Sequence, residues 1–199
     1  MATAVLLCAA CGPNSNETQG LTSIEVQPAN ATITMPSGAP VDYTAIGHYA
    51  DGSTHVLKDA TFSLDNSAAA LGSLSVAEFT ASGAAAGTGN VIATDGTQTG
   101  STSVNVVVHT VHVDPMAPPD APNNFPDQPP MGALSPVIDY PLDGAVMPTS
   151  VKAPDVQWEG PNDATDLYRV RFVAGLATVD TILVAGPTFK LDALPVAAD

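Results

Sequence analysis

Across residues 21–108 apolar side chains recur at every second position, and that period decides what this chain can fold into. Successive side chains of an extended strand point to opposite faces, whereas a helical face repeats about every 3.6 residues. Ile24 and Val26 fall on one face, with Glu25 and Gln27 on the other. Val41, Tyr43, Ala45 and Tyr49 likewise oppose Asp42, Thr44 and His48. Phe62 and Leu64 alternate with Ser63 and Asp65, Val91 and Ala93 continue the pattern, and Val104, Val106 and Val108 oppose Ser103 and Asn105. The interruptions are turn formers: Pro28-Ala29-Asn30, Pro36-Ser37-Gly38, Asp51-Gly52, Asp65-Asn66-Ser67 and Asp95-Gly96. About seven short strands punctuated in this way predict an antiparallel β-sandwich over residues 21–108. The span carries no helical apolar stripe, so the chain is expected to be all-β.

Composition removes several function classes. Twenty acidic residues against five basic ones give a net charge of −15. Such a chain has no electrostatic footprint for a phosphate backbone, so nucleic acid is excluded as a partner. Hydrophobic residues at 45% against 13% charged also exclude wholesale disorder.

Several segments of the sandwich span carry a resemblance. Leu21-Thr22-Ser23-Ile24-Glu25-Val26-Gln27-Pro28 resembles the opening strand of bacterial immunoglobulin-like domains of group 2, and Tyr49-Ala50-Asp51-Gly52-Ser53-Thr54 resembles the turn after their second long strand. Gly87-Thr88-Gly89-Asn90-Val91-Ile92-Ala93-Thr94 is similar to their late glycine-then-strand element, and residues 101–108 to their closing strand. Phe62 stands where the family usually places Trp, which keeps a core aromatic. The resemblance implies an immunoglobulin-like sandwich of an adhesion, spacer or carbohydrate-facing kind, without catalysis.

The N-terminus points to a location. Ala4-Val5-Leu6-Leu7-Cys8-Ala9-Ala10 is too short to span a bilayer but suits part of a signal-peptide core. Followed by Cys11-Gly12, it resembles the lipobox of bacterial lipoproteins, in which cleavage precedes the Cys and the thiol carries the lipid. The resemblance makes residues 1–10 a signal-peptide remnant, Cys11 the lipid-attachment residue and residues 11–20 a tether. No basic residue precedes Lys58, whereas signal peptides open with Lys or Arg, so this reading requires a start further upstream. Gly12 stands where an inner-membrane retention signal would carry Asp, which points to the outer membrane. Cys8 and Cys11 also spell C-x-x-C, a redox or half-zinc pattern. Zinc would need a second ligand pair, and a redox pair a following helix, whereas Gly12-Pro13-Asn14-Ser15-Asn16 reads as tether.

Eight prolines between Pro115 and Pro136 make residues 109–136 a semi-rigid, polyproline-like linker. Strand signals return over residues 137–199: Val156 and Trp158 share a face, and Tyr168, Val170 and Phe172 alternate with Arg169 and Arg171. Tyr140-Pro141-Leu142-Asp143-Gly144 followed by Trp158 resembles the start of a fibronectin-type-III-like sandwich, which typically takes about 100 residues. This second β-rich segment is therefore expected to be an incomplete sandwich from a longer protein.

His109 and His112, three apart in an extended region, fall on opposite faces and read as solvated surface, as does the outward-facing His48. Gly83-Ala84-Ala85-Ala86-Gly87-Thr88-Gly89 lacks the Lys-Ser/Thr of a phosphate loop and reads as a turn with positive φ. No Gly-x-Ser-x-Gly elbow occurs, and the sandwich offers no cleft for a glycosidase carboxylate pair. Asp139, Asp143, Asp163 and Asp166 gather near turns and could supply some calcium ligands, but no D-x-[DN]-x-[DN]-G loop is present. Asn16-Glu17-Thr18 and Asn30-Ala31-Thr32 match the N-glycosylation pattern, which the bacterial source implied by the lipobox resemblance makes a coincidence. The expectation is a non-catalytic cell-envelope lipoprotein without cofactor or metal. Its partners would be the membrane, through Cys11, and a surface protein or polysaccharide. The alternative is the N-terminal accessory region of a larger envelope enzyme or β-propeller protein.

Overall fold

The computed structural model describes residues 20–125, 136–142, 144–146, 155–159, 166–184 and, for the backbone alone, 188–190. Cys8, Cys11, Asp143, Asp163 and the expected signal-peptide remnant lie outside the described residues, as does the tether except for Gly20.

The chain opens with β1 (Leu21–Gln27), β2 (Ala31–Met35), β3 (Val41–Asp42), β4 (Thr44–Tyr49), β5 (Thr54–Val56) and β6 (Thr61–Leu64). A short helix α1 (Asn66–Leu71) leads into β7 (Gly72–Ser75), β8 (Glu78–Ala81), β9 (Gly87–Asp95) and the long β10 (Gln98–Val113). Beyond a 3-10 turn (Ala121–Asn124) follow β11 (Val137–Tyr140), β12 (Asp155–Glu159), β13 (Leu167–Ala174), β14 (Ala177–Val184) and β15 (Thr188–Lys190).

The all-β expectation holds. Sheets β1-β4-β5 and β3-β8-β7 share one core with the sheet that runs β13-β14-β10-β9-β6, to which β2 adds alongside β10. A further sheet has the order β11-β12-β15. The alternation read from the sequence lands as expected: Ile24, Val26, Tyr43, Ala45, Val91, Ala93, Val104, Val106 and Val108 are all buried in the shared core. Hairpin pairing is antiparallel throughout, but β10 also takes two parallel neighbours, β2 and β14.

Two features depart from the sequence reading. Helix α1 occupies a span read as a turn, because Asp65 caps it: the carboxylate Oδ1 accepts from the Ala68 amide at 2.7 Å. The helix buries Ala68 and Leu71 and sits directly on the backbone of β9, where any Cβ on Gly89 would run into Ala68. The second departure is the boundary at 108/109. β10 continues through His109 to Val113, and its last six residues pair in parallel with β14, from Val108↔Ala177 to Val113↔Ile182. Residues 109–113 are therefore strand, not linker. The described part of the Pro-rich segment is packed as well: Ala117 and Ala121 are buried with Ile182, and Arg169 Nη1 donates to the Phe125 carbonyl at 3.1 Å.

Candidate functional site

Two polar constellations stand out, one within the first sandwich and one where β14 meets β10. The first exists because Gly100 has no side chain: a Cβ there would strike the Ile24 carbonyl, so β1 crosses β10 in close contact. A depression of about 470 Å³ opens beside this crossing, lined by Glu25, Asn30, His48, Asn90, Ser101 and Ser103 among others. Register places Ser23 opposite His48, so Glu25 and His48 are diagonal neighbours on the outward face of β1 and β4. His48 Nε2 lies 3.1 Å from Glu25 Oε2, and Gln27 Nε2 donates to Glu25 Oε1 at 2.8 Å. The hydrogen bonds from Gln27 and His48 hold the Glu25 carboxyl below the usual carboxylate range. Across the depression Asn30 sits at φ 53°, a left-handed conformation that Asn tolerates. Its backbone N–H donates to Thr102 Oγ1 at 2.9 Å, and its side-chain Oδ1 accepts from Ser103 Oγ at 2.7 Å, which orients the side-chain NH₂ group. The wall is thus a set of oriented neutral donors and acceptors around one ionised carboxylate.

The second constellation centres on Asp180, whose side chain is only 4% exposed. Arg171 stands directly opposite on β13 and clamps the carboxylate with two bonds of 2.7 Å, Nε to Oδ1 and Nη2 to Oδ2. His109 Nε2 reaches Oδ2 from β10 at 2.9 Å. Burial alone would push the Asp180 carboxyl up; the hydrogen bonds and charges of Arg171 and His109 outweigh it and leave the group below its ordinary value. Three strands therefore converge on one carboxylate, and the arrangement acts as a clamp between β10 and the β13–β14 hairpin.

His109 was expected on a solvated surface, and here the structure corrects the expectation. Half-buried, it is engaged by an acid 71 residues away. The only sequence signal was Asp180 itself, a lone acid in the run Thr178-Val179-Asp180-Thr181-Ile182. His48 faces outward as read, and exposed His55 meets Tyr49 edge-on at 5.5 Å. His112 is exposed. Gly83 adopts φ +72° as a turn residue, whereas Gly89 serves the close approach of α1. Among the described residues no group of three His, Cys, Asp or Glu could hold a metal ion.

No protein-family model matches the chain, and a search of the curated proteins returns no match. Among solved structures the chain is similar to domains 5-6 of the S-layer protein SbsC, with 16% identity over 84% of this chain and 85% of that one, and a TM-score of 0.27. Domains 4-9 of the surface layer protein SbsC give 18% identity over 84% of this chain and 27% of that one, again with a TM-score of 0.27. Overlap at that level assigns neither fold nor function, and the β-sandwich stands on the strands and core described above. Among the described residues no helix is long and apolar enough to cross a membrane.

Proposed function

We propose that this chain is a non-catalytic module of the bacterial cell envelope, attached to the outer membrane by a lipid on Cys11 and acting as a spacer or adhesion domain. The observation that carries the spacer reading is β10. One strand of 16 residues, about 50 Å long at the usual rise, contributes Val104, Val106 and Val108 to the first core and Val113 to the next. Main-chain pairing and the Asp180 clamp thus hold the two β regions together, which suits a stiff projection. The lipobox resemblance at Cys11-Gly12 supports the attachment.

Fractionation of the native host, with the full reading frame present, tests the attachment. The wild-type protein is expected in the membrane fraction, with a mass that lacks residues 1–10 and gains acyl chains; Cys11→Ala is expected in the soluble fraction. A membrane-bound Cys11→Ala variant, or a wild-type chain without acyl mass, sinks the proposal. A second reading, an accessory region that positions a further domain, is favoured by β11, where Val137, Ile138 and Tyr140 are exposed at a sheet edge. Sequencing the frame beyond Asp199 separates the two.

A further inference from the structure

We propose that the depression between β1 and β10 is a binding site for a neutral polysaccharide chain. Its volume, about 470 Å³, lies within the roughly 300–1,000 Å³ of small-molecule sites. Its chemistry eliminates most ligand classes in turn. An apolar ligand is excluded because, Ala29 apart, the side chains open to it are polar, while Ile24 and Val26 point into the core. An anionic ligand is excluded because no Lys or Arg lines the site, His48 is already paired with Glu25, and the chain carries −15. A cationic ligand is disfavoured because Glu25 is the single carboxylate lining the site, and among the described residues no group of three His, Cys, Asp or Glu could hold a metal ion. What remains is a ligand rich in uncharged hydroxyls.

The groups that face the opening fit that ligand. Each Glu25 oxygen keeps a second lone pair, so the carboxylate can accept from two neighbouring hydroxyls. Asn30 offers an NH₂ group oriented by the Ser103 contact to its Oδ1. Ser101 adds a hydroxyl that can donate and accept, and the Ser103 hydroxyl, which donates to Asn30 Oδ1, can still accept. The polar floor also continues past the depression. Asn90 pairs with Ser103 and Thr88 with Asn105 on the same outward face, and Thr88 Oγ1 donates to Asn105 Oδ1 at 2.7 Å. Residues 101, 103 and 105 repeat about every 7 Å along β10, so the row suits an extended chain better than a single ring. No aromatic side chain lines the site to stack on a sugar face. Single-site affinity is therefore expected to be about millimolar, becoming firm only when many copies on one surface engage one polymer.

The test is a titration of the ¹⁵N-labelled full chain, followed by amide signals. The probes are four neutral tetrasaccharides: β-1,4-glucan, α-1,4-glucan, β-1,4-mannan and β-1,4-linked N-acetylglucosamine. Spermine and inorganic phosphate serve as charged controls. At least one saccharide is expected to give saturable shifts at Glu25, Asn30, His48, Asn90, Ser101 and Ser103. Binding should weaken at least tenfold in Glu25→Gln and in Asn30→Asp, and stay unchanged in Val173→Thr, an exposed residue on β13. The proposal is overturned if no saccharide shifts these amides at tens of millimolar, if the shifts lie elsewhere, or if spermine or phosphate produces them. None of these outcomes depends on Cys11, so the site and the membrane attachment fail or survive separately.

Discussion

The two β regions of this molecule reach stability by different routes. Residues 21–108 enclose one core from the inner faces of several sheets, in which Phe79, Leu71, Val26, Val91, Val104 and Val106 are essentially removed from solvent. Among the described residues the β13–β14 hairpin has small clusters on its two faces. Ala117, Ala121 and Ile182 form one; Val156, Trp158 and Tyr168 form the other, with the last two rings 5.5 Å apart. A lone hairpin is marginal in water, so this one borrows β10 as a third strand, sends Ala177 into the first core and adds the Asp180 clamp. Where apolar area is plentiful, packing decides the fold. Where it is scarce, a neighbour's strand and a hydrogen-bonded ion pair take over, and the second region becomes dependent on the first.

That dependence can be broken from either side. The largest effect is expected from Phe79→Ala, which empties the middle of the first core and should cost about 3–5 kcal/mol. Trp158 is the only tryptophan, so its fluorescence reports the second region alone. In Phe79→Ala the Trp158 and far-ultraviolet transitions in urea should move down together. A second region that outlasts the first would end the dependence argument.

Arg171→Ala works from the other side. It leaves the Asp180 carboxylate buried without its bidentate partner. The expected cost is about 2–3 kcal/mol, below the roughly 3–5 of a fully enclosed pair because 32% of the Arg171 side chain meets solvent. Here the Trp158 transition should shift while the first region's transition stays in place. Acid should do the same without a mutation. The Asp180 carboxyl is lowered in the folded state, so the unfolded chain binds its proton first as pH falls. The stabilisation is complete above the ordinary carboxylate value of 3.8 and disappears as pH drops through the folded value below it. Trp158 fluorescence should therefore change ahead of the far-ultraviolet signal in a titration below pH ~4.

The smallest effect concerns Tyr43 in the first core. Its hydroxyl is the one buried side-chain polar atom among the described residues without a hydrogen-bond partner, and burial raises its pKa. Tyr43→Phe removes that unmet donor and should stabilise the protein by about 1 kcal/mol, measured as a rise in the urea midpoint at unchanged slope.

These contrasts also explain which parts of the structure were legible in the sequence. Strict alternation exposed the first sandwich, because each strand there has one dry face and one wet face. It failed at the end of β10, where the apolar phase changes: Val104, Val106 and Val108 face the first core, but Val113 packs with Ile182. A strand that serves two cores in succession looks, in sequence, like a strand that ends. Helix α1 escaped for a related reason. Six residues are too few for a helical period to show, and its position rests on the Asp65 cap and on Gly89 far along the chain. Of the two polar sites, Glu25 and His48 were both placed outward correctly, but their diagonal contact depends on strand register. Arg171 and Asp180 face each other across the β13–β14 hairpin, but His109 joins them only through a parallel pairing of distant segments, which no local pattern encodes.

The parallel pairing also sets an order of assembly. Val108 finds Ala177 only after an intervening stretch of almost 70 residues has been made, and the entropy of closing that loop must be met before the pairing returns anything. The first sandwich also carries a long closure, since Ala31 pairs with Val104, but both of its ends are already made once β10 is complete, and β9–β10 and β1–β4 close over shorter separations. As the chain leaves the ribosome, the sandwich can close first and present the last residues of β10 as a bare edge. The β13–β14 hairpin then adds to that template. During the interval the edge is open to any extended chain, so crowded synthesis is the stage at which this protein is most exposed to pairing with the wrong partner.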